Sequence, residues 1–202
     1  MVIKNIAVHN FGPTGTDPLS KSAHLTESNI NNAHKNRWPE LPSELNGSYI
    51  GYNFIIYPDG EMRQYRFIGE ETAAQKGHNF DTLSICLAGN FTTGVESPTL
   101  TQKMKLKNTI LALLRNDLKG MMIKPGTSCD FSVDRIYPHR VLQPNHTSCY
   151  GNSLSDNWAK SLVTNEVQIS LLTTLLELYR KLLKLKKLGS VGVDCGTADV
   201  RG

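Results

Sequence analysis

The segment Tyr49-Ile50-Gly51-Tyr52-Asn53-Phe54-Ile55-Ile56-Tyr57 carries the strongest strand signal in the chain, and Pro58-Asp59-Gly60 turns it into Glu61-Met62-Arg63-Gln64-Tyr65-Arg66 as a hairpin. Two further short, apolar runs read as buried strands. Asn5–Asn10 runs into a loop with Gly12, Pro13 and Gly15 and leaves His9 at its C-terminal end, and Thr82–Ala88 stops at Gly89-Asn90. Between the runs lie helical patterns. Thr26–Arg37 is a short helix halted by Trp38-Pro39, and Leu100–Leu118 is an amphipathic helix with Met104, Leu111, Leu114 and Leu118 as its core face and Gly120 as its stop. Trp158–Val163 is the last helical piece of the body. This alternation predicts an α/β fold with a central mixed β-sheet flanked by helices.

With 202 residues, 39% of them apolar, the chain has room for one domain with a real core and an appended element. Three stretches are expected: a body over 1–163, an amphipathic basic helix over 164–188, and a glycine-rich mobile tail over 189–202. In the helix, Leu171, Leu175, Leu178, Leu182 and Leu185 alternate spacings of four and three beside a second row, Leu172, Leu176, Tyr179 and Leu183. The body is nearly neutral. The basicity sits in Arg180, Lys181, Lys184, Lys186 and Lys187, against Glu177 alone between Gln168 and Leu188. A neutral body lacks the broad positive field of a nucleic-acid binder, so no nucleic-acid partner is expected. Residues 168–188 are expected instead to make a homo-oligomer or to contact a membrane or lipopolysaccharide. No run of about 18 uncharged apolar residues is present, and Met1-Val2-Ile3-Lys4-Asn5 lacks the apolar core of a secretory signal, so synthesis in the cytoplasm without a signal peptide is expected.

Cys86, Cys129, Cys149 and Cys195 are too few and too scattered for a disulfide framework, and Cys86, inside Ser84-Ile85-Cys86-Leu87-Ala88, reads as a buried inert thiol. His9, His139 and Cys149 are of the residue types that ligate zinc, and three protein ligands leave a fourth position open, as in a catalytic site. Spacing alone leaves the alternative open that His139 is a surface residue, His9 a partly buried one and Cys149 incidental. Arg63 and Arg66 on the hairpin read as solvent-facing.

Five segments together change the weighting. Val8-His9, Ile50-Gly51-Tyr52-Asn53-Phe54-Ile55-Ile56 with Asp59-Gly60, Lys76-Gly77-His78-Asn79 leading to Ser84–Gly89, Pro138-His139-Arg140 and Cys149-Tyr150-Gly151 resemble the zinc-dependent N-acetylmuramoyl-L-alanine amidases over residues 5–162. That family includes many phage endolysins and is related to the peptidoglycan recognition proteins. The resemblance implies a peptidoglycan hydrolase that cleaves the amide between N-acetylmuramic acid and L-alanine with a zinc-activated water. It implies His9, His139 and Cys149 as ligands of one Zn2+ and Tyr52 beside the water, orienting it or donating to the developing oxyanion.

The chain departs from the family at three positions. Thr147 stands where well-known members have a lysine, so a hydroxyl takes that catalytic place unless His146 or Arg140 substitutes. Cys86 stands where one branch has a glutamate. Ala73-Ala74-Gln75 lacks a histidine found there, leaving His78 and Asn79 as substrate contacts. The expected biology is an endolysin that acts on the cell wall after release. The alternatives are a recognition protein that binds peptidoglycan with little turnover, or a cytoplasmic muropeptide-recycling amidase.

Overall fold

The computed structural model describes residues 1–144 and 147–189, the last four through their backbone alone; His146 and the tail beyond residue 189 lie outside the described residues. The chain divides into two units, residues 1–163 and 164–202.

In the first unit, β2 (Asn5–Asn10), β3 (Phe54–Ile56), β4 (Met62–Gln64), β5 (Thr82–Leu87) and β7 (Ile136–Pro138) form one five-stranded sheet in the order β4-β3-β5-β2-β7. β1 (Val2–Ile3) and β6 (Ser128–Cys129) make a separate parallel pair. Only β4 is antiparallel, paired with β3 through the hairpin; β3, β5, β2 and β7 run parallel. The sheet is therefore mixed, as the alternation of apolar runs and helices predicts. The parallel strands are buried on both faces: all of β3 and β5, and β2 from Ile6 onward.

Register decides which side chains share a face. His9 pairs with Cys86 and Cys86 with Ile55, so these three point to one side, while Val8, Ile85 and Phe54 point to the other. On the His9 side, Ile30 of α1 (Glu27–Arg37) joins Ile50, Ile55, Tyr65 and Cys86 in one apolar cluster. α1 starts on a reciprocal cap, Thr26 Oγ1 accepting from Asn29 N–H and Asn29 Oδ1 accepting from Thr26 N–H.

α2 (Leu100–Leu114) stops four residues before the expected Leu118, and its buried residues are Gln102, Leu106, Thr109, Ile110, Leu113 and, as expected, Leu111. Met104, expected in the core, is 55% exposed because it lies across the helix from Leu106 and Leu113. Gln102 Nε2 donates to the carbonyls of Ile56 and Ala88, tying the helix start to the ends of β3 and β5.

Arg66 also departs from expectation. Fully buried, it pairs with Glu70 at 3.0 Å and donates to the carbonyls of Ile50, Leu41 and Glu71. Glu70 in turn accepts from the N–H groups of Glu44 and Phe67. The hairpin thereby clamps the long loop between α1 and β3. Arg63 stays on the surface, paired with Glu27 and Glu61.

α3 (His139–Leu142) follows β7 without a break, and α4 spans Trp158–Gly189 as one continuous helix rather than two pieces. Its first residues belong to the first unit, with Ala159 and Val163 buried and Trp158 edge-on to Tyr150. In the second unit, Leu171, Leu172, Leu175, Leu176, Leu178, Tyr179, Leu182, Leu183 and Leu185 are all exposed. Among the described residues no helix is long and apolar enough to cross a membrane.

Candidate metal centre

Strand ends and one loop bring His9, His139 and Cys149 together. His9 is the fifth residue of β2, and β7, its parallel neighbour, hands the chain to α3 at His139. Cys149 lies in the following loop, which Arg140 holds in place. The Arg140 backbone N–H donates to Cys149 O at 2.8 Å, and its guanidinium donates to the carbonyls of Gly151 and Leu154 and to Asp156. Arg140 is thus committed to the loop and does not take the place of the family lysine. Gly151 has φ 87°, and a Cβ there would collide with Phe91 O, so the turn after Cys149 requires glycine.

One ligating atom from each of His9, His139 and Cys149 lies within 4.8 Å of the other two. The His9 and His139 rings are 4.6 Å apart between centroids, and Cys149 Sγ is 3.8 Å from His9 Nδ1. Metal–ligand bonds near 2.0–2.3 Å in a tetrahedron put ligand atoms roughly 3.5 Å apart. The group fits a zinc ion in both donor type and spacing.

Two glutamines orient the imidazoles. Gln75 Oε1 lies 3.1 Å from His9 Nε2 and also accepts from Ser84 Oγ at 2.8 Å. A carboxamide oxygen only accepts, so His9 carries its proton on Nε2 and turns the Nδ1 lone pair toward Cys149. Gln143, one helical turn after His139, repeats the device. Its Oε1 is 2.7 Å from His139 Nε2, and its Nε2 is anchored on Lys76 O at 2.8 Å.

The electrostatics suit neutral imidazole donors. Burial, then the nearby His139, holds His9 well below the usual histidine range, and burial lowers His139 too. Burial pushes the Cys149 thiol up to about 12. A thiolate at this position therefore calls for a cation beside it.

Tyr52 packs its ring 5.2 Å from His9 and 5.3 Å from His34, and burial raises its hydroxyl well above 10, leaving it a proton donor. Gly51 permits this placement because a Cβ there would come within 2.7 Å of Ala73 O. His34 Nδ1 accepts from Gly51 N–H at 2.9 Å and so fixes the backbone next to Tyr52.

His139 and Cys149 open onto a cleft of about 830 Å³, also lined by Tyr52, Asn79, Thr147, Arg37 and Trp38, while His9 is buried behind them. Thr147 Oγ1 accepts from Cys149 N–H at 3.0 Å, which leaves its own proton to donate. Asn79 lines the cleft, but its Oδ1 is occupied by the N–H groups of Gln75 and Ala74, so it shapes the loop that carries Gln75. His78 is not among the lining residues; its Nδ1 faces Asp81 at 3.6 Å.

Sequence reasoning passed over Gln75, Gln143 and His34 as functional residues. The spacing of four between His139 and Gln143 on a helix was a usable signal. Gln75 had none beyond its standing in place of a histidine.

No protein-family model matches the chain, and no curated protein matches it. Solved structures do. The endolysin of Thermus scotoductus bacteriophage Ph2119 superposes with TM-score 0.54 at 17% identity, over 80% of this chain and 85% of its own. The N-acetylmuramoyl-L-alanine amidase endolysin LysCS of Clostridium intestinale superposes with TM-score 0.51 at 20% identity, over 76% and 88%. PGRP-SA of Apis mellifera does so with TM-score 0.50 at 21% identity, over 75% and 78%. The chain therefore has the fold of the amidase endolysins and peptidoglycan recognition proteins, with a His-His-Cys group that fits a zinc site.

Proposed function

We propose that residues 1–163 form a zinc-dependent N-acetylmuramoyl-L-alanine amidase domain that hydrolyses the amide between N-acetylmuramic acid and L-alanine in peptidoglycan, working as a phage or prophage endolysin. The observation that carries this reading is the convergence of His9, His139 and Cys149 within 4.8 Å beside an open cleft. A zinc ion held by these three side chains would supply Lewis acidity, polarising the scissile carbonyl and lowering the pKa of a water toward about 7.

The chain's own groups do the rest. Gln75 and Gln143 keep both imidazoles in the tautomer that presents a lone pair. Tyr52 donates a hydrogen bond toward the oxygen on which charge develops, and Thr147 offers a second donor from the other side of Cys149. Thr147 carries no charge, so its share of the stabilisation is smaller than a lysine's. The cleft seats the glycan and the start of the stem peptide, and the solved endolysins of the same fold support peptidoglycan as the polymer bound.

Purified sacculi incubated with the protein, with and without a chelator, test this reading. The expected result is new alanine amino termini without new reducing ends, lost on chelation, restored by zinc, and absent in Cys149→Ala, which also loses the metal. New reducing ends would make the protein a glycosidase. Binding to sacculi without products would make it a recognition protein.

A further inference from the structure

The loop between β2 and α1, residues 11–25, walls the cleft with Phe11, Gly12 and Pro13. Among the described residues, every hydrogen bond that ties this loop to the rest of the first unit ends on one of two side chains, Glu96 and Asn90. The half-buried Glu96 carboxylate accepts from Ser22 N–H at 2.9 Å, from Ala23 N–H at 3.3 Å and from Asn90 N–H at 2.7 Å. Asn90 is wholly buried and passes the restraint on. Its Nδ2 donates to Pro18 O at 3.0 Å and to Ser20 O at 2.8 Å, and its Oδ1 accepts from the N–H and hydroxyl of Thr92. Ser20 Oγ in turn accepts from Thr14 N–H at 2.6 Å, next to Pro13. Bonds from N–H groups to a carboxylate are stronger than neutral ones, so one side chain fixes both segments on this side of the cleft. Thr92 lines the cleft, and Glu96 itself does not.

This wall is uncharged. The ionic side chains that line the cleft, Arg37, Glu40, Glu71 and Lys76, lie in the segment around the end of α1 and in the one before β5, and none lies in 10–13 or 90–92. A stem peptide carries carboxylate and ammonium groups, whereas the sugar it is joined to through an amide is neutral. A neutral wall suits the sugar.

We propose that Glu96 is a positioning residue for the sugar side of the cleft. Through Ser22, Ala23 and Asn90 it holds residues 11–25 as a pre-formed, uncharged wall against which the glycan seats. The identity of the ligand rests on the amidase reading. Loss of the carboxylate weakens binding and spares the metal, because His9 is fixed by the pairing of β2 with β5 and not by the loop that follows.

Steady-state kinetics of the zinc-loaded full chain on a soluble disaccharide-peptide, with the free stem peptide as competitive inhibitor, test this. Glu96→Ala is expected to raise KM about tenfold, with kcat, zinc affinity and the Ki of the stem peptide each within about twofold of the parent. Glu96→Gln keeps one acceptor and the side-chain size, so it folds where Glu96→Ala fails, and its KM is expected to lie between the two. Amide exchange at Ser22 and Ala23 is expected to quicken in both variants. An unchanged KM overturns the proposal. So does a Ki that rises in step with KM, because the wall then serves the peptide, or a fall in kcat and zinc affinity alongside KM, because Glu96 is then a general support. A parent that binds the disaccharide-peptide without cleaving it defeats the amidase reading instead, and the same comparison is then read in dissociation constants. A parent that neither binds nor cleaves it overturns both.

Discussion

Gln75 illustrates how much of a metal site lies outside its ligands. Its buried carboxamide accepts from both His9 and Ser84, and the loop that carries it is held by Asn79. Removing the carboxamide frees the His9 ring to turn or to take the other tautomer, and outer partners of this kind typically matter 10- to 100-fold in metal affinity, on the order of 1–3 kcal/mol. Gln75→Ala is therefore expected to bind zinc about 10- to 100-fold more weakly in competition with a chromophoric chelator while its far-ultraviolet circular dichroism stays unchanged. An unaltered affinity would reduce Gln75 to packing. Tyr52→Phe separates the other side of the site. The ring contact with His9 survives and the hydroxyl does not, so zinc affinity should hold while turnover on sacculi falls on the order of 100-fold. A variant as fast as the parent would remove Tyr52 from the chemistry.

At the scale of elements, the site depends on a clamp remote from the metal. The Arg66–Glu70 pair is buried on both sides and is satisfied by three backbone carbonyl and amide partners in the loop before β3, at Leu41, Glu44 and Ile50, and by Phe67 and Glu71 beyond the hairpin. Cutting one partner leaves an uncompensated buried charge, at a cost of about 3–5 kcal/mol. Arg66→Met is expected to lower unfolding free energy by about that amount in urea titration, whereas the surface variant Arg63→Met should change it by less than about 1 kcal/mol. Equal effects would show that the clamp is not what holds the loop. The same contrast explains a misreading. Arg63 and Arg66 are three positions apart, so a period of two sets them on opposite faces, and only Arg63 lies on the exposed side of β4. In α2 the chain's apolar residues fit more than one helical stripe, and only contact with the sheet selects Leu106, Ile110 and Leu113 over Met104.

For the molecule as a whole, His34 ties stability to pH. Its Nδ1 accepts from Gly51 N–H, which requires an unprotonated nitrogen, and burial, followed by the charges of Arg37 and Arg66, lowers it to about 4. The unfolded chain takes up this proton near pH 6.5 and the folded chain only near 4, so the unfolded state binds more protons between the two. Stability from this residue is complete above about pH 6.5 and falls as pH drops toward 4, by on the order of 3 kcal/mol in all. His34→Gln is expected to flatten that part of the urea-midpoint profile; an equally steep profile would place the effect in other histidines.

Much of this protein was legible from sequence. Short β-branched runs read as strands because a parallel sheet covered on both faces favours consecutive apolar residues over strict alternation, and β2 matches its expected ends at Asn5 and Asn10. The His-His-Cys candidates were legible from residue type together with family resemblance. What only the tertiary structure decided are the partners that act across the chain: Gln75 on His9, Arg140 on the Cys149 loop, His34 on the backbone beside Tyr52, and Arg66 drawn inside by Glu70. The reason is physical. Local pattern reports how a segment buries its own face, whereas a hydrogen bond between residues 66 positions apart exists only once the sheet has set the register that brings them together.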